Sequence, residues 1–290
     1  MTDHTTLIDA ATLADLIAPD SPHRAHTVVL DTRFDLAAPA RGPAAFGEGH
    51  VPGARYAHLD EDLSGPVTPT SGRHPLPPPD TLAARFASWG VNADTQLVVY
   101  DDAAGAMAAR AWWLARWLGH PRVAVLDGGL AAWRDLGLPM STEVPTPTSS
   151  GAFTATRDDT MWLSTDDVAR GLADGSLLLV DARANVRFTG EREPIDPVAG
   201  HVPGAVNLPF EQTLAADGTL LDVSALAARF SAILADHSPD EMAAMCGSGV
   251  TACHLLLGMQ HAGLPGGRLY AGSWSEWIRD PARPVASAAD

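Results

Sequence analysis

The sequence predicts an α/β protein made of two copies of one small domain, each a mostly parallel sheet with helices on both faces. Three observations predict it. Short words recur in the same order in both halves of the chain, apolar runs of strand length alternate with helical stretches, and a Pro, Ser and Thr-rich segment separates the halves.

The repeat is explicit. Gly49-His-Val-Pro-Gly-Ala54 returns as Gly200-His-Val-Pro-Gly-Ala205, and Leu82-Ala-Ala-Arg-Phe86 returns as Leu226-Ala-Ala-Arg-Phe230. Asp31-Thr-Arg33 matches Asp181-Ala-Arg183, and Gly128 with Trp133 matches Gly272 with Trp277. One order and a nearly constant offset make duplication the economical explanation.

In the first copy Thr27-Val-Val-Leu30 reads as a buried strand, followed by the His-Val-Pro-Gly turn and a helix around Leu82-Ala-Ala-Arg-Phe86. The strand Leu97-Val-Val-Tyr100, a helical stretch over 106–118 and the strand Arg122-Val-Ala-Val-Leu126 complete it. In the second copy Leu177-Leu-Leu-Val180 is the matching first strand. Met242-Ala-Ala-Met245 has little β-propensity, and is assigned as a strand because the duplication aligns it with 98–101. Pro139-Met-Ser-Thr-Glu-Val-Pro-Thr-Pro-Thr-Ser-Ser150 resists packing and marks the boundary. The expected organisation is a domain over 1–140, a linker over 141–160 and a second domain over 161–290.

A chain of 290 residues with 46% apolar and 19% charged residues suits two cores of ordinary size. The formal charge of −16, with no basic run to offset it, argues against nucleic-acid and membrane partners. The 19 basic residues are all arginine, which excludes Schiff-base chemistry, a lysine-held pyridoxal group and a Walker-type phosphate loop. The amino-terminal stretch lacks the features of a secretion signal, and the apolar runs are too short to span a bilayer, so a cytoplasmic location is expected. Cys246 and Cys253 are the only cysteines. Two cysteines seven apart fit neither a disulfide framework, nor a CxxC pair, nor a four-ligand zinc site. No metal is expected, and each cysteine stands as a thiol.

The gap from Asp102 to Asp127 equals that from Cys246 to Ala271, which aligns Cys246 with Asp102. One half therefore carries a nucleophile and the other a carboxylate. After Cys246 come Gly247 and Gly249 and then an apolar helix that Thr251 is placed to cap. A strand, a glycine-bearing loop and a helix start aim successive N–H groups at one point and stabilise an anion there. A thiol so placed is activated as a nucleophile, provided that solvent reaches it. Cysteine phosphatases use a similar loop with Cys-x5-Arg, but the sixth residue after Cys246 is Ala252, so the phosphate-gripping guanidinium is missing.

On these residues the chain resembles the tandem rhodanese family over essentially its full length. The matching pieces are the two Asp-x-Arg strand ends, both Gly-His-Val-Pro-Gly-Ala turns, the Asp127-Gly-Gly-Leu-Ala-Ala-Trp133 and Gly272-Ser-Trp-Ser-Glu-Trp277 segments, and the loop. Cys246-Gly-Ser-Gly-Val-Thr-Ala-Cys253 is similar to the loop of the 3-mercaptopyruvate sulfurtransferases. Thiosulfate-using relatives usually carry charged residues just after the cysteine, where this chain has neutral Gly247 and Ser248.

The resemblance implies two rhodanese-like domains, the second catalytic, and transfer of sulfur from 3-mercaptopyruvate through a persulfide on Cys246 to a thiol or cyanide. It implies no cofactor. The donor is a small molecule, and the acceptor a thiol that includes thioredoxin-like proteins. Main-chain N–H groups of Gly247, Ser248, Gly249, Val250 and Thr251 are expected to hold the persulfide. Arg187 is expected to grip the donor carboxylate with its planar fork, Ser248 to donate to the donor carbonyl, and His74 with Asp60, from the other domain, to form a relay to it; Asp62 is the substitute for Asp60. A second arginine nine or ten residues after Arg187 is common among mercaptopyruvate enzymes; here Glu193-Pro-Ile-Asp-Pro-Val198 stands in its place. The alternatives are a thiosulfate:cyanide sulfurtransferase and a binding module in which both folds have lost catalysis. His50 and His201, equivalent in the two copies, are expected to serve shape; Asp181 and Arg183 are expected to support the sheet end by pairing, with Asp181 facing the cleft as the alternative. Trp274 and Trp277 are expected to pack on the helix after the loop.

Overall fold

The computed structural model describes residues 3–145 and 151–287, so the end of the Pro, Ser and Thr-rich boundary segment, 146–150, lies outside the described residues. The chain divides into two compact units. The first is Met1–Gly65, Pro77–Asp158 and Ala216–Thr219; the second is Pro66–Leu76, Asp159–Ala215 and Leu220–Asp290. Pro66–Leu76 is thus a stretch of the first half of the chain that belongs to the second unit. No helix of the described residues is long and apolar enough to cross a membrane.

The first unit runs β1 (Leu7–Ile8), α1 (Ala10–Ile17), β2 (Thr27–Asp31), α2 (Arg41–Glu48), β3 (Arg55–Tyr56), α3 (Pro79–Ser88), β4 (Gln96–Tyr100), α4 (Ala108–Trp117), β5 (Val123–Leu126) and α5 (Gly129–Asp135). Its sheet has the order β1-β5-β4-β2-β3 with every pair parallel. The second unit runs β6 (Trp162–Leu163), α6 (Thr165–Asp174), β7 (Leu178–Asp181), α7 (Asn185–Phe188), β8 (Val206–Asn207), α8 (Val223–Leu234), β9 (Met242–Met245), α9 (Ala252–His261), β10 (Arg268–Tyr270) and α10 (Ser273–Trp277). Its order, β6-β10-β9-β7-β8, again all parallel, is the same topology.

These elements form for local reasons that packing completes. Asp9 caps α1 by accepting from Thr12 N at 2.8 Å, Asp222 caps α8 through Ala225 N at 2.9 Å, and Ser164 with Asp167 makes a reciprocal capping box on α6. Strands β4 and β9 are buried at every residue. This is why β9 holds despite the weak propensity of its sequence: it lies in the middle of a sheet, and burial of each larger side chain contributes roughly 1.5–3 kcal/mol. In the first unit Leu13, Val29, Phe46, Val98 and Trp133 share one core; in the second Val168, Leu179, Met245, Trp274 and Trp277 do. Trp274 and Trp277 therefore join the face covered by α6, which corrects the expectation that they pack on the helix after the loop.

The Asp-x-Arg words lock strand ends to turns, in the same way twice. Arg33 pairs with Asp31 at 2.6 Å and donates to Gly49 O at 2.8 Å; Arg183 pairs with Asp181 at 2.7 Å and donates to Gly200 O at 2.8 Å. Both pairs are buried. The turn histidines that follow serve shape, as expected. His50 lies 2.8 Å from Phe46 O and stacks on that ring at 3.9 Å, and His201 lies 2.8 Å from Phe188 O and stacks at 3.8 Å.

The ladders also correct the alignment of the two copies. Asp31 faces Tyr100, and Asp181 faces Met245. Tyr100 therefore corresponds to Met245 and Asp101, not Asp102, to Cys246. The first copy has one extra residue in the following loop, which restores the equal spacing counted further along.

Candidate active site

Cys246 follows the last residue of β9, at the carboxyl edge of the sheet, where open parallel sheets place their ligands. Its backbone is fixed from both sides. Cys246 N donates to Ser273 Oγ at 3.1 Å, Trp274 N donates to Cys246 O at 3.0 Å, and Ser275 N donates to Gly247 O at 2.9 Å. Ser273 holds a left-handed φ of 53° while its hydroxyl bridges Cys246 N and Tyr270 O. That conformation costs a non-glycine residue about 1–3 kcal/mol, and it sits beneath the nucleophile.

The loop wraps back on the sulfur. Gly249 N donates to Sγ at 3.1 Å and Ser248 N at 3.5 Å, while the amides of Gly247, Val250 and Thr251 make no hydrogen bond to it. Gly249 makes the bend possible: its φ is +78°, and a Cβ there would stand 2.4 Å from Ala271 O. Thr251 occupies the cap position of α9 but makes no capping hydrogen bond, because the loop already enters with helical angles of −69° and −15°. This corrects the expected capping role. Cys253, on α9, is buried and donates to Gly249 O at 3.4 Å.

The first unit shows what this loop is built to hold. Asp101, at the position of Cys246, is fully buried, and its carboxylate accepts four amides: Ala103 N at 2.8 Å and Gly105 N at 2.9 Å on Oδ1, Met107 N at 2.7 Å and Ala108 N at 2.8 Å on Oδ2. Burial raises this acid above the usual carboxylate range, and the four amides act the other way. With donors on both oxygens and no acceptor among these partners, the nest suits the carboxylate. Sequence reading missed Asp101 because it assigned the position to Asp102, which is exposed.

His74 and Ser248 come together as expected: Ser248 Oγ is 2.7 Å from His74 Nδ1, and both residues are buried. His74 reaches Ser248 from Pro66–Leu76, so this histidine belongs to the same unit as the cysteine. Asp60 is exposed and belongs to the first unit, where its N–H donates to His58 Nδ1 at 3.2 Å. Asp62, the substitute, accepts from His58 N at 2.8 Å and pairs with Arg85 at 2.9 Å.

Arg187, on α7, meets Glu193 at 2.9 Å and Asp196 at 2.9 Å. Arg73 pairs with the other oxygen of Asp196 at 2.7 Å. Both guanidinium groups lie against the loop. A Cβ added at Gly247 would stand 3.2 Å from Arg73 Nη2 and 3.6 Å from Arg187 Nη1 and Nη2. The loop is neutral at Gly247 and Ser248, but two guanidinium groups from other segments, Arg73 and Arg187, lie beside it in the space that a side chain at 247 would fill. Cys246 is itself only 3% exposed, which contradicts the expectation that solvent reaches the sulfur; the loop residues Ser248 and Val250 are buried with it. Beside the loop lies a cleft of about 350 Å³ lined by Arg73, Asp196, Ser275 and Arg279 among others.

Comparisons with known proteins agree with this geometry. A family model described as the rhodanese-like domain matches residues 10–136 and again 164–280. A Pseudomonas aeruginosa protein named "Probable 3-mercaptopyruvate sulfurtransferase" is 50% identical over 262 residues, covering 90% of this chain and 92% of that one. A Mycobacterium tuberculosis protein that carries the name thiosulfate sulfurtransferase SseB is 41% identical over 283 residues, covering 96% of each. The crystal structure of SseA from Escherichia coli, described among the 3-mercaptopyruvate sulfotransferases, superposes with a TM-score of 0.79 at 32% identity, covering 94% of this chain and all of that one. With two matched domains in tandem and relatives of this identity along nearly its whole length, the chain belongs to the rhodanese family.

Proposed function

We propose that the protein is a sulfurtransferase that takes sulfur from 3-mercaptopyruvate onto Cys246 and passes it to a thiol or to cyanide. The observation that carries this reading is the duplicated nest. In the first unit the loop holds a two-oxygen anion, one oxygen on loop amides and the other on the amides that open the helix. In the second unit Sγ takes the place of the first oxygen, and the amides of Thr251 and Ala252, equivalents of Met107 and Ala108, remain for a second sulfur one S–S bond further out.

The chemistry is an attack of the Cys246 thiolate on the donor sulfur. The S–S bond forms, the C–S bond breaks, and its electron pair goes to the pyruvate enolate, which is protonated to pyruvate. Ser248 Oγ, held by His74, donates to the donor carbonyl as that oxygen gains charge, and Arg187 binds the carboxylate. An acceptor thiolate, small or on a thioredoxin-like protein, then attacks the outer sulfur and Cys246 leaves as thiolate. The low exposure of Cys246 counts against this reading, and what supports it is the pair of amides, Ser248 N and Gly249 N, that point at the sulfur. Asp60 in the relay and the domain limits 1–140, 141–160 and 161–290 remain parts of this proposal, with 66–76 added to the catalytic unit. A cytoplasmic setting is supported by two free, buried cysteines, the form favoured in a reducing compartment.

Thiosulfate is the second reading, favoured by the two guanidinium groups beside the loop, which suit a dianion. Comparing kcat/KM for the two donors decides between them. A higher value with 3-mercaptopyruvate, with pyruvate released in step, is expected; a higher value with thiosulfate overturns the donor assignment, and turnover of neither donor overturns the enzyme.

A further inference from the structure

We infer that Glu276, on α10, is a positioning residue for the proposed sulfur transfer: with Ser275 it holds segment 71–74 in the place where His74 meets Ser248. The inference rests on the sulfurtransferase reading and adds to it the element that sets the histidine of the relay.

Three successive residues of the segment are held by side chains of α10 and the turn that follows it. Gly72 N donates to Glu276 Oε2 at 3.1 Å, Arg73 N donates to Ser275 Oγ at 3.0 Å, and Arg279 Nε donates to Ser71 O at 3.2 Å. Residues 275, 276 and 279 are three and four apart, so they fall on one side of the helix. The next residue of the segment is His74, whose Nδ1 lies 2.7 Å from Ser248 Oγ. Glu276 is anchored in turn: its other oxygen accepts from Thr165 Oγ1 at 2.5 Å, and that hydroxyl lies 2.9 Å from the hydroxyl of buried Tyr270. Ser275 N donates to Gly247 O at 2.9 Å, so one serine touches both the segment and the catalytic loop. The approach is close, because a Cβ at Gly72 would stand 2.6 Å from Gly272 O and 3.0 Å from Ser275 Oγ. No helix or strand covers 71–74, so these bonds, not a ladder, hold it. The bond to the Glu276 carboxylate is charge-assisted and therefore among the stronger of them.

The repeat shows that the fold itself does not require these side chains. α5 and α10 are equivalent, since Leu130 N donates to Asp101 O as Trp274 N donates to Cys246 O. A Cβ on Gly128 would meet Ala132, and one on Gly272 would meet Glu276, which fixes the same register. Ser275 and Glu276 therefore stand where the first copy has Ala131 and Ala132. Two polar side chains replace two methyl groups on the side of the helix that meets 71–74, and they do so in the copy that carries Cys246. The copy with Asp101 in place of the nucleophile does without them.

The test is stopped-flow measurement of pyruvate release from 3-mercaptopyruvate in Glu276→Ala and Glu276→Gln, each made with His74 present and in a His74→Ala background. Glu276→Ala is expected to slow release about tenfold where His74 is present and less than about twofold in His74→Ala, because a residue that acts through the histidine then has nothing left to position. Glu276→Gln keeps an oxygen that accepts from Gly72 N, and its release rate is expected to stay near that of the native protein. The second half-reaction guards against a misfolded variant. With Cys246 loaded beforehand by inorganic polysulfide, discharge of the persulfide to cyanide needs no donor carbonyl, and Glu276→Ala is expected to discharge at the native rate. Equal slowing of release in both backgrounds, or slowed discharge, makes Glu276 a structural residue and overturns the inference while the sulfurtransferase stands. Native release in Glu276→Ala overturns it as well. Absence of pyruvate release from the native protein removes the 3-mercaptopyruvate reading and the inference with it.

Discussion

Ser248 Oγ lies 2.7 Å from His74 Nδ1, and these two residues, 174 apart in sequence, are both buried beside the nucleophile. The hydroxyl is two residues from Cys246 on the loop that wraps the sulfur, so a proton relayed through it reaches a donor already in place.

Removing either partner should therefore impair the chemical step. Ser248→Ala and His74→Ala are each expected to lower kcat for sulfur uptake on the order of 100-fold, the usual worth of positioned proton transfer. The double variant should lose little more than either single one, because the two act as a unit. Additive losses in a stopped-flow measurement of pyruvate release would show that they act independently.

The strand-end ion pairs carry stability. Arg183→Ala strands Asp181 without its buried partner and should destabilise the second unit by about 3–5 kcal/mol, and Arg33→Ala should do the same to the first. Chemical denaturation followed by tryptophan fluorescence reads both. A cost near zero would mean that the Gly200 and Gly49 turns hold without the lock.

The nest of the first unit makes a prediction of opposite kind. Asp101→Ala leaves four amides without their acceptor and should cost about 3 kcal/mol or more. A cysteine placed at 102 in a chain carrying Cys246→Ser should take up no sulfur, because the amides remain engaged by Asp101. Sulfur found on that residue by mass spectrometry would contradict the one-residue correction of the alignment.

Glu193 links the Arg187 ion pair to acid stability. Burial pushes its carboxyl up, but the Arg187 side chain and the amides of Asp196 and Ile195 outweigh that and hold it below its ordinary value. A depressed acid contributes stability that is present above the unfolded value, about 4.3, and is lost as pH falls through the lower folded one. The melting temperature of the native protein should thus exceed that of Glu193→Gln above about pH 5, with the gap closing as pH falls toward 3. A gap that is constant with pH would assign the effect to packing.

Much of this was legible in the sequence. The repeated Gly-His-Val-Pro-Gly-Ala and Asp-x-Arg words fixed two sheets of one topology, and even Met242-Ala-Ala-Met245 was recoverable, because position in the repeat outweighs weak propensity where a strand is buried on both faces. Cys246 and Ser248 were legible because loop chemistry is local. Arg73 was not: it lies more than 100 residues from Arg187, and only the packing of Pro66–Leu76 into the second unit brings it to Gly247. The register error at Asp101 arose because equal spacing hides a single insertion, and only the ladder from Asp31 to Tyr100 exposes it. The adjacent pair Asp101-Asp102 was the available signal, since two carboxylates at one strand end leave open which of them turns inward.

The claim on which the account depends is that the Cys246 nest holds a second sulfur. Intact-protein and peptide mass spectrometry after brief exposure to 3-mercaptopyruvate, with no acceptor present, tests it directly. A gain of about 32 Da, one sulfur atom, is expected on the peptide containing Cys246, removable by cyanide and absent from Cys246→Ser. An unmodified Cys246 in a protein that still releases pyruvate, or the same gain on Cys253 instead, would contradict it.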